Sequence, residues 1–398
     1  MTSFFKRKTE RLSLIGSLVI LSLLVVGCAG PTYQGWSGFA PSDDVLYFGG
    51  IDGRVYAIST TARSQNLTFP SQGEWVFKIP SAAATGSICG PACAPASPQG
   101  SIYATPVVVG DLVCVGIYAS DTGKLVAINR LAPGYTEGVP LRSKGEWVYP
   151  SLVKIGAIVG TPVVTGNTLY TGSSDGKLYA IDTAYGEKRW EFDTGGKIWT
   201  SPSVEDGVIY VSNYDRKLFA VSSTDGTLIW QTELSSSIAS SPAVSGDSIY
   251  VGTFDNHLYA IDKTNGKERW SFEGGNWFWS TPVVKEGMVY AGCLDNKLYA
   301  VDTGSGKELW KFVADGPIVS EPTLTDSYVI VASKTGEVYV LNSSKGDLVK
   351  SIHVGFPIMA PLLVEGDTLY VHAGSLCVYG IDLVSGEKIW EFCYSSNE

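Results

Sequence analysis

Seven cysteines and three histidines are the side chains in this sequence best suited to nucleophilic, redox or metal chemistry. Their surroundings point elsewhere. His257 stands at a hairpin position that sibling segments fill with Lys177, Lys217 and Lys297, which makes it a turn residue. His353 and His372 fall in strand-like runs with no serine or cysteine signature beside them. Cys89 and Cys93 share a Gly/Pro/Ala-rich stretch, I-C-G-P-A-C-A-P, with no His or Asp nearby. Two thiols are too few ligands for zinc, so a local disulfide pinning a coreless loop is expected there. Cys377 and Cys393 lie on either side of a turn centred near Ser385, and directly opposed strand residues can bond. There is no Gly-x-Gly-x-x-Gly and no phosphate loop. The expectation is no catalytic set, no metal and no cofactor.

The first 27 residues read as a secretory signal. Lys6, Arg7, Lys8 and Arg11 form a basic start, and Leu12 to Val26 is an apolar run too short for a spanning helix. Val25-Val26-Gly27-Cys28 resembles a bacterial lipobox. That resemblance implies a diacylated Cys28, a lipidated tether over 28–33, and an exported protein held to a membrane by its lipid. Ala29, rather than an acid, favours the outer membrane in a two-membrane cell. The whole chain carries a net charge of −10; residues 1–27 hold four basic side chains and one acid, Glu10, so the remainder is near −13. An acidic exported chain has no electrostatic footprint for nucleic acid.

The rest of the sequence is an array. The aromatic of an L-Y-A or L-F-A core recurs at Tyr179, Phe219, Tyr259 and Tyr299, a step of 40 residues without slippage. Tyr339 and Tyr379 continue it forwards; Val126 and Tyr56 hold the same slot earlier, after insertions of about 13 and 30 residues. Each repeat reads as four strands: a run ending near Ser/Thr-Pro, an acidic or Gly turn, a second strand such as V-I-Y-V-S, a tight Asp turn, the L-Y-A-I-D strand, and a last strand after a Gly turn. Alternating apolar and polar positions are expected along them. A 40-residue meander cannot bury both faces alone, but repeated around an axis each sheet packs on its neighbours. We therefore expect an all-β, eight-bladed β-propeller of four-stranded antiparallel blades over 34–398, monomeric, with inserts in blades 1 and 2. Ile158, Ile198, Ile238, Phe278, Ile318 and Ile358, recurring at the same step, are assigned to its inner strands.

The strings A-I-D-T-A-Y-G-E-K-R-W, A-I-D-K-T-N-G-K-E-R-W, A-V-D-T-G-S-G-K-E-L-W and G-I-D-L-V-S-G-E-K-I-W resemble the tryptophan-docking motif of pyrroloquinoline-quinone (PQQ) type propeller repeats. The resemblance implies that the last-strand tryptophan stacks on the neighbouring blade: Trp75, Trp147, Trp190, Trp230, Trp270, Trp310 and Trp390. Lys350 breaks the series, implying a softer joint after blade 7. The quinoprotein dehydrogenases built on this repeat carry an adjacent Cys-Cys pair and acidic and Asn calcium ligands; this sequence departs from both. A lipobox followed by eight repeats is similar to the BamB-type lipoproteins of outer-membrane β-barrel assembly. That similarity implies a non-catalytic envelope scaffold binding other envelope proteins, in a barrel-assembly complex where an outer membrane exists. A PQQ-dependent oxidoreductase and a ligand-sensing propeller are the alternatives. The repeat is scaffold, so recognition is sought where it is broken. Trp199, Trp277 and Trp279 replace the small Ala239, Val159 and Val319 of sibling repeats on what read as inner strands. They either line one mouth of the axial channel as a recognition surface or fill the axis of a wide ring. The inserts, roughly 61–72 and 81–100, and the segment 131–145 are the other irregular places.

Overall fold

Asp-Gly and Asp-Asn turns fold each short run back on the last, and the result is eight four-stranded antiparallel sheets, each in chain order. The computed structural model describes residues 37–50, 52–71, 73–78, 101–119, 122–131, 145–150 and 154–394. Blade 4 shows the pattern. Its strands, Ser203–Glu205, Val208–Ser212, Lys217–Ser222 and Leu228–Glu233, pair in sequence with Ser203 opposite Tyr210, Val208 opposite Ser222 and Ala220 opposite Trp230. Asp206 and Gly207, with φ of 51° and 79°, supply the left-handed pair that the first hairpin needs. First strands of successive blades run side by side around the axis, which puts the fourth strand on the rim.

Alternation is found only on that fourth strand. The second and third strands are buried on both faces (Ile209–Ser212 and Leu218–Val221 are all inaccessible), because each sheet is sandwiched between two others. Blade-to-blade packing therefore carries the core. Tyr170, Leu178 and Ala180 of blade 3 pack with Ile198, Ile209, Val211, Phe219 and Val221 around the joint to blade 4. The recurrent isoleucines are wedges in this joint rather than strand residues. They lie in the loop just ahead of each first strand, and Ile198 sits so close to Gly172 of the preceding blade that a Cβ there would be 2.1 Å from Ile198 Cγ2.

Two belts follow from the repeat. Ahead of the proline in blades 2 to 5, a hydroxyl accepts the backbone N–H of the preceding blade's corresponding residue: Gly38 to Thr105 (3.0 Å), Thr105 to Thr161 (3.1 Å), Thr161 to Ser201 (2.8 Å) and Ser201 to Ser241 (2.9 Å). Blade 7 places Glu321 at this position. On the rim, the recurrent Asp of the docking motif is a turn former. Asp262 Oδ1 accepts the N–H groups of Thr264 (3.0 Å) and Asn265 (3.2 Å), and Arg269 bonds its other oxygen. The hydrogen bonds from Thr264 and Arg269 lower its pKa to about 2.

Blade 1 departs from the pattern by a short helix, α1 (Thr60–Ser64), capped by the Ser59 hydroxyl. Glu74 organises it from beneath, accepting from Ser59 N, Ser71 N and both Arg63 Nε and Nη2 at 2.8–2.9 Å. The ring closes where blade 8 meets blade 1. Among the described residues no strand is exchanged there; Phe48, Tyr56 and Ile58 pack directly on Tyr370, Val378, Trp390, Phe392 and Tyr394.

Candidate functional site

The chain enters each blade through a short loop, and a backbone hydrogen bond ties that loop to the hairpin between strands two and three. Tyr214 N donates to Lys197 O (2.8 Å), Phe254 N to Ser237 O (3.0 Å) and Leu294 N to Trp277 O (3.0 Å). Because strands alternate in direction, these loops and hairpins share one face of the ring, opposite the turns that receive the docking tryptophans. Trp199, Trp277 and Trp279 lie in the entry loops of blades 4 and 6, immediately before the first strands, not within them.

The three tryptophans are brought into one arc by two residues that sequence reading passed over. Trp199 packs on Tyr214 (ring centroids 5.4 Å), Tyr214 on Phe254 (6.1 Å), and Phe254 on both Trp277 (4.8 Å) and Trp279 (5.6 Å). All five rings are half-buried, so each keeps an accessible edge or face. Lys197 Nζ lies 5.8 Å over the Trp199 ring, a cation–π contact. Burial, with the Asp215 carboxylate beside it, raises the Tyr214 pKa and keeps the phenol neutral. Of the exposed charges, Asp215 lies beside Tyr214 and Lys197 over Trp199. The arrangement offers apolar and π-face contact with one carboxylate and one ammonium beside it, and no group in it is set up as a nucleophile or general base.

The other expected site residues are dispersed. Trp75, Trp147, Trp190, Trp230 and Trp270 donate Nε1–H to a turn carbonyl of the next blade: Arg130 (3.2 Å), Thr183 (2.8 Å), Ser223 (3.3 Å), Lys263 (3.1 Å) and Thr303 (2.9 Å). Trp310 stacks over Gly346, but its Nε1 finds no acceptor among the described residues, and Tyr290 Oη donates to the corresponding Ser343 carbonyl at 3.0 Å. Trp390 is buried at the seam. Lys350 lays its stem against Gly386 and donates from Nζ to Val384 O, so a docking contact exists there without an aromatic. Cys377 and Cys393 are joined in a disulfide. Cys114 and Cys293 are free and buried, and burial pushes each thiol up to about 12. Cys28, Cys89 and Cys93 lie outside the described residues.

Two further side chains stand apart. Burial pushes the Glu321 carboxyl up to about 7. Buried His372 donates from Nδ1 to Ser37 O (2.8 Å) and accepts from Tyr394 Oη at Nε2 (2.7 Å), and burial lowers its pKa to about 4. Both were visible as breaks in the repeat: Glu321 replaces Ser or Thr before proline, and His372 stands where Gly172, Gly252 and Gly292 stand in other blades. A quinone–calcium centre does not fit these residues. Among the described residues no three His, Cys, Asp or Glu side chains converge, and the axial hydroxyls bond the backbone instead.

A family model described as outer membrane protein assembly factor BamB matches residues 114–271, 216–320 and 295–397. The chain belongs to the BamB family. The crystal structure of BamB from Moraxella catarrhalis superposes with a TM-score of 0.63 at 16% identity, covering 85% of this chain and 91% of that one. The computationally designed Ika8 protein matches with the same TM-score and identity, over 86% and 94%. At that identity both show the fold alone. No curated protein sequence matches the chain. In this BamB-family ring the docking tryptophans are the shared scaffold, and the aromatic arc is a departure from its own repeat.

Proposed function

We propose that this BamB-family propeller is a non-catalytic scaffold of the bacterial envelope, monomeric and anchored through a lipid on Cys28, whose protein partner docks on the aromatic arc. Where the cell has an outer membrane, the partner is a component of the β-barrel assembly complex. The observation that carries the reading is the cluster of Trp199, Tyr214, Phe254, Trp277 and Trp279, five half-buried rings in contact on one face. Large, rigid aromatics of this kind dominate the binding energy of protein interfaces. Asp215 beside Tyr214 and Lys197 over Trp199 add one charge of each sign, which orients the partner segment.

The test is a photo-crosslinking residue at 254 in the native envelope, with partners identified by mass spectrometry. A discrete protein adduct, lost in the Trp277→Ala/Trp279→Ala variant and retained when the crosslinker is moved to the opposite face only at background level, is the expected result. Recovery of lipid and no protein would count against a scaffold.

A further inference from the structure

Seven of the eight joints in the ring are crossed by the chain itself. At the eighth, between blades 8 and 1, nothing covalent crosses among the described residues, and the seam is held by side-chain contacts of Tyr370 and Val378 on the middle strands and of the last outer strand, Lys388–Cys393. Two of the aromatic residues that do so, Phe392 and Tyr394, flank Cys393. Phe392 packs on Phe69 (4.7 Å) and Tyr56 (6.1 Å), with Arg63 over its ring. Tyr394 packs on Tyr56 (4.7 Å) and Phe48 (5.7 Å) and donates to His372, which in turn holds Ser37.

Cys377 and Cys393 are directly opposed across strands three and four. The same opposed pair in other blades is Lys177 and Asp193, Lys217 and Glu233, His257 and Glu273, Lys297 and Val313, and Glu337 and His353. None of these is covalent. A bond thus replaces a non-covalent pair in the one blade whose outer strand lies at the uncrossed joint.

We infer that the Cys377–Cys393 disulfide is the clasp of the ring: it fixes the end of the terminal strand so that Phe392 and Tyr394 stay seated on blade 1, and its reduction opens the seam. The reductant is a dithiol. It supplies two electrons and two protons, the S–S bond breaks to give two cysteine thiols, and the dithiol leaves as its cyclic disulfide. This goes beyond the scaffold reading, because closure of the ring depends on the redox state wherever the partner binds.

Hydrogen exchange of the full chain, with and without dithiothreitol, tests it. Reduction is expected to speed exchange about tenfold or more in both 46–58 and 371–392 while leaving 208–251 unchanged. Unchanged exchange at the seam, or an equal rise in every blade, overturns the clasp. The Cys377→Ser/Cys393→Ser variant should show the open seam without reductant and no further response to it; a seam that still responds means another bond is responsible. Tyr394→Ala, with the disulfide intact, should open the same two segments, and reduction should then add little. If reduction adds its full effect again, the bond does not act through Tyr394 and the proposal fails.

Discussion

Lys350 shows how one residue sets the strength of a joint. Its ammonium reaches the Val384 carbonyl, but the methylene stem covers far less of the Gly386 turn than an indole covers at Gly306 or Gly346. The receiving glycine is present with φ +82°, so Lys350→Trp should dock without backbone change and raise the unfolding free energy by about 1 kcal/mol, read as a higher denaturant midpoint. Trp270→Ala, which empties a filled joint and orphans the Thr303 carbonyl, should lower stability by about 3 kcal/mol in the same assay. Two titrating residues act in opposite senses. Glu321 is raised from 4.5 to about 7 by burial, so the folded state holds its proton more tightly than the unfolded chain. Its contribution is full below pH 4.5 and is lost as pH rises through 7. Glu321→Gln should therefore be relatively more stable at pH 8 than at pH 5, read from urea midpoints; a parallel pH profile would sink this. His372 is lowered from 6.5 to about 4, so its contribution is present above pH 6.5 and lost as pH falls through 4. Measured on Glu321→Gln, where the opposing slope is gone, stability should drop across that window, and His372→Gln should flatten it.

At the scale of the element, the hairpins and the docking strand were readable because their constraints are local: positive-φ turn residues, a Trp at fixed spacing, and an Asp whose oxygen caps its own turn. The two middle strands were misjudged as alternating because burial on both faces is set by the neighbouring blades, which a single repeat does not display. Trp199, Trp277 and Trp279 could be singled out as misfits, but Tyr214 and Phe254 could not. Their contact with the tryptophans depends on the loop-to-hairpin hydrogen bonds, which bring together residues far apart in sequence. Helix α1 was hidden for a different reason. Its organiser, Glu74, is a buried carboxylate satisfied by Arg63 and two backbone N–H groups from separate stretches of the insert. Glu74→Ala leaves the Arg63 charge buried and unpaired, and should cost about 3 kcal/mol or more and make 60–73 the first site of limited proteolysis.

For the whole molecule, a 40-residue period and the length of the array determine a ring of eight, since each sheet needs a neighbour on both faces. What the period could not show is how the ring ends meet, because the seam is built from residues that occur once: His372, Tyr394, Phe48, Phe69 and α1. The arc is likewise confined to blades 4 to 6. The aromatic arc on one side and the seam on the other thus belong to different blades of the same ring, and a variant in either should leave the other measurable.

The seam also bears on ancestry. Blades 1 and 8 each have four strands and, among the described residues, meet face to face without sharing one. Topologically the ring has no privileged beginning. Ser37 and Tyr394 are both within hydrogen-bond reach of His372, so a few residues suffice to join them. A circularly permuted gene, cut in the loop between Glu233 and Ser240 and with a short linker joining Tyr394 to Ser37, should encode the same propeller, with a seam relocated to blades 4 and 5. Such a lineage can grow or shrink by whole-blade duplication and deletion, and its members need share a register of repeats rather than a common start.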